Sequence, residues 1–452
     1  MRYSLLALAL SSATWLYATR AASALPEAHG LGSRAASMAG AVGADARDFS
    51  AVAYNPAGLA AARGMTLDLG YTANLQRLRT NGLDNDVDDV RGLVAGLVAP
   101  GRIAGLPVAF GVALHLPDSG LSFIKSRRQE APRWELHDTR QQLLFLAAAV
   151  AVRPVPWLEA GVGLGYLSAT RGRFGLRGAA NLAAPFDSQL EHEVDADLTS
   201  VRYPIVGVRA SKPGWGTVGV SYRGESQLDL ALAARLDGTV GIAGLKVPLL
   251  YELEARTFSA FSPRTLTASW SFQRVERLHL NVDLSWVGWS AYESPVARIR
   301  ARLDVTPPPG APVVLPPSPA PTLPVAPHLR DRVVPRIGVE FRLPFGGEPR
   351  MGHAPHALAL RAGYAYEATP VPPPRGATTL IDTDRHTVAV GVGLALRRPF
   401  DVLPGTLRLD LHGSLGVLQR LTVVKDSPAD FVGDFVADGR IVGLGATTEV
   451  EF

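Results

Sequence analysis

Hydrophobic and polar residues alternate one by one along most of the chain after about residue 65. In residues 278–286, leucine, valine and tryptophan alternate with histidine, asparagine, aspartate and serine. A strand that faces lipid on one side and a lumen on the other must change polarity at every residue. A helix would instead repeat about every 3.6 residues. The pattern therefore predicts β-strands that cross a membrane.

Fourteen segments carry this alternation or a weaker version of it. They are residues 65–77, 90–99, 107–116, 141–153, 158–174, 197–211, 217–233, 255–273, 278–292, 332–343, 357–369, 385–397, 406–421 and 438–452. Pro263 could split one of them, which we treat as a single kinked strand. An even number of strands is what a closed outer-membrane barrel of one chain requires. The predicted fold is all-β: a 14-stranded antiparallel transmembrane β-barrel, residues 65–452.

The connections between these segments are long at one end of the predicted barrel and short at the other. This asymmetry is typical of outer-membrane barrels, whose long loops are extracellular, so both termini are expected in the periplasm. The loop at residues 294–331 is rich in proline, and we expect it to be extended, without ladder bonds. Trp157 and Trp215 in short connections, and Trp286, Trp289 and Tyr292 near the opposite end, are expected in the two aromatic girdles.

The first 24 residues have the features of a secretory signal peptide. Arg2 precedes an apolar stretch, and Ala22 and Ala24 supply the small residues that signal peptidase requires. The chain has no cysteine, so the exported protein needs no disulfide. We therefore expect a protein of the bacterial outer membrane.

Composition narrows the classes of protein further. The chain is 47% hydrophobic and 19% charged, which excludes a disordered chain. Its net charge of +4 is too small and too scattered to predict nucleic-acid binding. After the signal peptide, the longest apolar run is residues 143–152, whereas a membrane-spanning helix needs about 18 residues.

Residues 25–64 do not alternate and are rich in glycine, alanine and short polar residues. Several predicted strands carry small residues on one face, such as Ala389, Gly391, Gly393 and Ala395. Small lumenal residues leave space inside the barrel. We therefore expect residues 25–64 to form a hatch, or plug, within the lumen.

This N-terminal stretch runs from Gly30 through Ala53-Tyr54 to Asn55-Pro56-Ala57-Gly58. It resembles the hatch of the FadL family of outer-membrane transporters for long-chain fatty acids and other hydrophobic compounds. In that family a glycine- and alanine-rich stretch ends in an Asn-Pro-Ala motif just before the first strand. Residues 284–290, 360–366 and 382–386 look similar to later strands and loops of the family, and the C-terminal Phe452 matches the assembly signal of outer-membrane barrels.

The resemblance implies passive uptake of hydrophobic small molecules, either long-chain fatty acids or hydrocarbons. In the family, the hatch rearranges when ligand binds, and a kink in the third strand opens a lateral exit into the membrane. The hatch motif is Asn55, Pro56, Ala57 and Gly58. The lateral gate candidates on the third strand are Pro107, Phe110 and Gly111. No energy source or cofactor is implied.

The loop at residues 117–140 places apolar side chains beside cations. The ligand capture candidates are Leu121, Phe123, Ile124, Lys125, Arg127 and Arg128. Cations next to an apolar patch would suit a lipid that bears a carboxylate. They would equally suit the phosphates of lipopolysaccharide, and the sequence leaves this choice open.

Charged residues on predicted lumenal faces need partners, because an unpaired charge in a narrow lumen is costly. We expect a network that holds the plug, formed by Asp283, Arg361, Arg408, Asp410 and His412. No metal site and no catalytic elbow or cysteine nucleophile is found, so we expect no enzyme. The alternatives are a general diffusion porin and, with less support, an outer-membrane lipase. Expected partners are outer-membrane lipid, lipopolysaccharide and, through Phe452, the barrel-assembly machinery, with the protein a monomer.

Overall fold

The computed structural model describes residues 30–452, apart from a set of internal gaps. The gaps are 86, 119–131, 135, 138–143, 182–188, 243–244, 276, 294–297, 306–320, 322–325, 347–355, 375–379, 400–404 and 427–432. The predicted signal peptide, residues 1–24, lies outside the described residues. No helix in the described part of the chain is long and apolar enough to span a membrane.

Within the described residues, eighteen strands form one sheet. They are β1 (Thr66–Thr80), β2 (Leu83–Asp84), β3 (Val90–Ile103), β4 (Leu106–Pro117), β5 (Phe145–Val155), β6 (Leu158–Asn181), β7 (Gln189–Lys212), β8 (Gly216–Arg223), β9 (Ser226–Ile242), β10 (Leu245–Ser262), β11 (Thr265–Val275), β12 (Leu278–Val287), β13 (Arg298–Val305), β14 (Arg332–Phe345), β15 (His356–Glu367), β16 (Arg385–Arg397), β17 (Thr406–Val423) and β18 (Phe435–Glu451).

Fourteen of these strands form the wall of a closed antiparallel barrel, as predicted: β1, β3–β8, β11, β12 and β14–β18. The barrel closes where β1 pairs with β18, from Thr66 opposite Glu451 to Thr80 opposite Ala437. Closure satisfies the backbone hydrogen-bonding groups at both edges of the sheet, which an open sheet in lipid could not do. Both ends of the barrel chain lie at the end of the barrel that carries the short connections.

The other four strands extend the sheet beyond the barrel at the end with the long loops. β6 and β7 each have 24 residues, roughly 80 Å of chain, whereas a strand that spans a bilayer needs about 10 residues. β9 runs parallel to the outer part of β6, and β10 pairs with both β9 and β13. The loop at residues 294–331 therefore contains a strand with ladder bonds, and the expectation that this loop has none is wrong for Arg298–Val305.

Pro263 separates two strands, so the prediction of one kinked strand at 255–273 is wrong. β9 and β10 form a hairpin outside the wall, which we call the outer hairpin. β10 ends this hairpin at Ser262, and β11 begins at Thr265 as a strand of the barrel wall. Proline has no backbone N–H to donate to a ladder, which suits the point where the chain leaves one pairing and begins another. The total of fourteen wall strands is unchanged, because β9 and β10 lie outside the wall.

The barrel exterior is apolar where it would meet lipid. On β1, Leu67, Leu69 and Tyr71 face outward and are 53%, 55% and 44% exposed, whereas Asp68 and Asn74 face inward and are buried. Trp157 and Trp215 are exposed in the short connections. Trp289 and Tyr292 are instead buried against Phe261 in a cluster near the long loops, so their placement in an aromatic girdle is wrong.

Residues 30–64, which we call the lumenal segment, pack inside the barrel. They contain helix α1 (Ser33–Ser37), helix α2 (Ala51–Tyr54) and a 3₁₀ helix at Pro56–Ala61. Their apolar side chains are almost completely buried although the segment has little regular structure. The segment folds because the barrel wall surrounds it, since helices this short are not stable on their own.

Candidate functional site

The inner face of the barrel carries glycines at the points where the lumenal segment comes closest. A Cβ atom at Gly363 would lie 2.2 Å from the Met38 carbonyl carbon, and one at Gly207 would lie 2.0 Å from Asn55 Oδ1. Similar close approaches occur on four other strands of the wall, at Gly96, Gly111, Gly161 and Gly391. Any larger residue at these positions would collide with the segment. The small inward residues thus shape a seat for it.

The Asn-Pro-Ala-Gly motif forms a compact turn that is buried against the wall. Asn55 Oδ1 accepts a hydrogen bond from the Ala57 backbone N–H at 3.2 Å, and Asn55 Nδ2 donates to the Val208 carbonyl at 3.4 Å. Pro56 begins the 3₁₀ helix, where its missing N–H costs nothing. A Cβ at Gly58 would lie 2.1 Å from the Ala46 carbonyl oxygen. The motif therefore needs Asn for the cap and Gly for close packing.

One side of the lumenal segment is apolar and faces the wall formed by β3–β5 and β7. We call this interface the apolar seam. It joins Phe49, Val52 and Leu59 of the segment to a wall of mostly small side chains. The buried wall residues are Val90, Val94, Val98, Ala109, Ala113, Phe145, Ala147, Ala149, Ala151, Tyr203 and Ile205. Because the wall side chains are short, the apolar side chains of the segment fill the seam.

The opposite side of the segment is polar and faces β11, β12, β14–β18 and β1. The Val42 and Gly43 backbone N–H groups donate to Asp283 Oδ2 at 3.1 and 3.0 Å. The Ser33 backbone N–H donates to Thr447 Oγ1 at 3.0 Å, and that hydroxyl donates to Ser33 Oγ at 3.0 Å. These bonds satisfy backbone groups that would otherwise be buried without partners.

Glu340 is the centre of a buried ion cluster between segment and wall. Its carboxylate accepts from Arg34 of the segment at 3.3 Å and from Arg361 at 2.5 Å, and it also pairs with Arg342. Arg34 makes a second ion pair with Asp45. Burial alone would raise the pKa of the Asp45 carboxyl, but Arg34 and Arg47 hold that pKa below its usual range. The cluster is therefore ionised, with its charges paired.

A second ion chain holds the segment close to the short connections. Arg209 donates to the Ala46 carbonyl at 2.8 Å and pairs with Glu159 at 2.6 Å, and Glu159 also pairs with Arg153. Glu159, Arg209 and Glu340 are not among the residues that the sequence predicted for the network. The alternation of polar and apolar residues along each strand places these three side chains on the lumenal face. Only the register between strands shows that opposite charges meet there.

The predicted plug-holding network is only partly what the structure shows. Asp283 bonds directly to the segment, whereas Arg361 and Asp410 bond to each other at 2.5 Å and reach the segment through Glu340. Arg408 pairs with Glu449 and Glu451 of the neighbouring strand and does not bond to the segment. His412 is buried, with no hydrogen-bond partner for either ring nitrogen among the described residues. Arg408 and His412 therefore do not belong to the network that holds the segment.

The ladder of the third wall strand, β4, is continuous in the region where the resemblance implied a kink. It pairs without a register shift with β3, from Gly92 opposite Pro117 to Ile103 opposite Leu106, and also with β5. Of the gate candidates, Pro107 lies near the start of β4, Phe110 faces outward, and Gly111 faces inward against Leu59 and Val52. Among the gate candidates, Gly111 is the one shown to lie against the segment.

The ligand capture candidates, residues 121, 123–125, 127 and 128, lie outside the described residues. At the opposite end, the Phe452 backbone N–H donates to the Met65 carbonyl at 2.9 Å, and the Phe452 side chain is exposed. The C-terminus is thus held in the barrel wall.

Several solved structures have the same fold. A Pseudomonas aeruginosa FadL homologue aligns with a TM-score of 0.54 and 15% identity, covering 93% of this chain and 97% of its own. The CymD monoaromatic hydrocarbon channel aligns with a TM-score of 0.54 and 17% identity, with the same two coverages. The Ralstonia pickettii toluene transporter TbuX aligns with a TM-score of 0.50 and 16% identity, covering 95% of this chain and 100% of its own.

No protein-family model and no curated protein sequence matches the chain. The structural similarity nevertheless extends over nearly the whole chain. The fold and the filled lumen define a plugged transmembrane β-barrel of outer-membrane type. The particular fold is FadL-like.

Proposed function

We propose that this protein is an outer-membrane channel that takes up hydrophobic small molecules, with the lumenal segment as its hatch. The observation that carries the proposal is the division of the lumen into an apolar seam and a polar side, combined with the FadL-like fold. Among the similar structures, CymD is a monoaromatic hydrocarbon channel and TbuX is a toluene transporter. Aromatic hydrocarbons and long-chain fatty acids are accordingly the proposed cargo.

The apolar seam offers such a molecule a dry path. Each CH₂ group moved from water into an apolar site gains about 0.8 kcal/mol, so a short alkyl chain gains enough to enter without an energy source. The seam is closed in this structure by Phe49, Val52 and Leu59. Passage therefore requires that this part of the segment move away from the wall.

The end of the lumen near the short connections opposes exit of an apolar molecule along the barrel axis. A cavity of about 530 Å³ there is lined by charged side chains, including Arg47, Arg63, Arg397 and Glu451. An apolar molecule gains nothing by entering hydrated space among charges. Release sideways, through the wall next to the seam and into the membrane, follows as the lower-energy route.

The filled lumen also favours this function over a general porin. The inward glycines leave no space between the segment and the wall at the points of closest approach. A diffusion porin needs an aqueous path wide enough for polar solutes. The proposal also includes the export and orientation of the protein. The signal peptide directs export, both termini face the periplasm, and the barrel-assembly machinery recognises Phe452. In the membrane the protein is a monomer whose outer loops contact lipopolysaccharide.

Substitution of Ala149 by Phe tests the seam. Ala149 is buried, faces the lumen and is paired with Gly111, which contacts Leu59. A phenyl ring there would occupy the space through which cargo passes. We expect uptake of radiolabelled toluene by cells that express the variant to fall about tenfold, because an overfilled core site resists further occupation.

Ala148→Phe is the matched control, since Ala148 is on the same strand and faces the opposite side, towards lipid. It should take up toluene like the unsubstituted protein. Both variants must be present in the outer membrane and shift in gel mobility on heating, as a folded barrel does. Equal uptake by both variants at equal expression would refute the proposed path.

A further inference from the structure

Trp134 is buried inside the barrel although it belongs to the long loop between β4 and β5. Its side chain is 1% exposed and packs in an apolar cluster near the long loops. We call the site that the ring fills the outer pocket. Its lining comes from β1, β17, β18 and the loops before β3 and β16, and includes Leu78, Val87, Ile381, Leu418, Phe435 and Ile441. A loop side chain therefore fills an apolar site between strands of the wall.

The outer pocket matches the flat ring of Trp134 but not its polar atom. The indole N–H has no hydrogen-bond partner among the described residues. Buried tryptophan usually finds a partner for this group. A buried donor without one has lost its hydrogen bond to water and gains nothing in its place. An aromatic ring without a donor would fill the same space without this loss.

The backbone around Trp134 is held independently of the ring. On one side, the Ile381 backbone N–H donates to the Arg133 carbonyl at 2.8 Å. On the other side, His137 Nε2 lies 3.1 Å from Asp382 Oδ1. The ring itself makes no hydrogen bond within the described part of the chain, so packing holds it in place. Its displacement from the pocket breaks neither of these two contacts.

We infer that the outer pocket is a binding site for aromatic hydrocarbons of one or two rings, and that cargo binds there by displacing the Trp134 ring. Such a molecule has the flat shape that the pocket already accommodates. It also lacks the N–H that the pocket leaves unpaired, so it loses no hydrogen bond on entry. The inference rests on the proposed function and adds the class of cargo and the place where it is first bound.

The outer pocket lies next to the apolar seam. Val87 belongs to the pocket, and Val90, three positions later, belongs to the seam. Three residues of extended chain span at most about 10 Å. Cargo in the pocket is therefore close to the apolar path proposed above.

Displacement of the ring is measured on the unsubstituted protein labelled with 5-fluorotryptophan. The fluorine resonance of Trp134 is assigned by its absence from Trp134→Phe, and that of Trp289 by its absence from Trp289→Phe. Naphthalene should expose the Trp134 ring to a water-soluble paramagnetic quencher. We expect its quencher-dependent relaxation to rise about fivefold or more as the population with a displaced ring becomes dominant.

Trp289 is the matched control within the same protein. It is also buried, and its indole N–H is likewise unpartnered in the part of the chain that the structure describes. It belongs to a different apolar cluster, with Phe261 and Tyr292. Its relaxation should not change when naphthalene is added.

Indole tests the class of ligand. It is similar in size to naphthalene and carries the N–H for which the pocket has no partner. Measured as concentration in the membrane, half-displacement of the Trp134 ring should need about tenfold less naphthalene than indole, because an unpaired buried donor weakens binding.

The inference is overturned by a Trp134 resonance that naphthalene leaves unchanged, by an equal response of Trp289, or by equal potency of indole and naphthalene. Toluene uptake by cells separates this result from the proposed function. Uptake with an undisplaced Trp134 ring would remove the pocket and leave the proposed function. Displacement of the ring without uptake would support the pocket and contradict the proposed function.

Discussion

Gly363→Val is expected to expel the lumenal segment and convert the protein into an open pore. A Cβ at this position would lie 2.2 Å from the Met38 carbonyl carbon and 2.6 Å from the Ala39 backbone nitrogen. These are backbone atoms, which cannot rotate away as a side chain can. Overpacking of a tight interior typically costs about 1–3 kcal/mol, and displacing the segment relieves it.

The measurements are single-channel conductance and limited proteolysis. An empty barrel of fourteen strands is wide enough for an aqueous channel, so conductance should rise by about tenfold or more. The displaced segment should be cleaved by protease while the barrel stays intact. Gly413→Val is the control, because a Cβ at Gly413 has no atom closer than 3.6 Å. A Gly363→Val protein that is as closed and as resistant as the Gly413→Val protein would contradict the seat assigned to the segment.

Glu340→Gln is expected to destabilise the protein by about 3 kcal/mol, since loss of one partner from a buried ion cluster typically costs about 3–5 kcal/mol. Glu340 is fully buried and pairs with three arginines, one from the segment and two from the wall. Glutamine retains the size of the side chain but cannot neutralise those cations. The free energy of unfolding in urea, measured in lipid vesicles, should fall accordingly.

The exposed pair of Arg235 and Glu252 provides the control for this loss. Its atoms lie 3.4 Å apart and both side chains are well exposed. Glu252→Gln should change the free energy of unfolding by less than about 1 kcal/mol, because water screens surface pairs. If both variants lost the same stability, the Glu340 cluster would not be the buried anchor described above.

The alternation of polarity was sufficient to predict the barrel, because a strand between lipid and lumen has only one way to satisfy both environments. It did not determine where strands leave the wall. β10 and β11 both alternate, and only their pairing partners separate the outer hairpin from the barrel at Pro263. Trp289 was misplaced for the same reason, since its burial depends on Phe261 at the end of β10.

The candidate site was predictable only where the signal is local in the chain. The Asn55 cap and the approach of Gly58 involve residues close in sequence or backbone atoms alone. Glu340 and Arg34 are 306 positions apart, and their contact depends on the register of the whole barrel. The continuous pairing of β4 likewise depends on its two neighbours, which the sequence of β4 alone does not specify.

The most direct test of the account compares two solutes in cells that lack other channels for hydrophobic compounds. Expression of this chain should raise the rate of toluene uptake several-fold above that of cells without it, while uptake of a polar sugar of similar size stays unchanged. A toluene rate equal to that of the control cells, or a sugar rate that rises equally, would contradict passage of hydrophobic cargo through a plugged barrel.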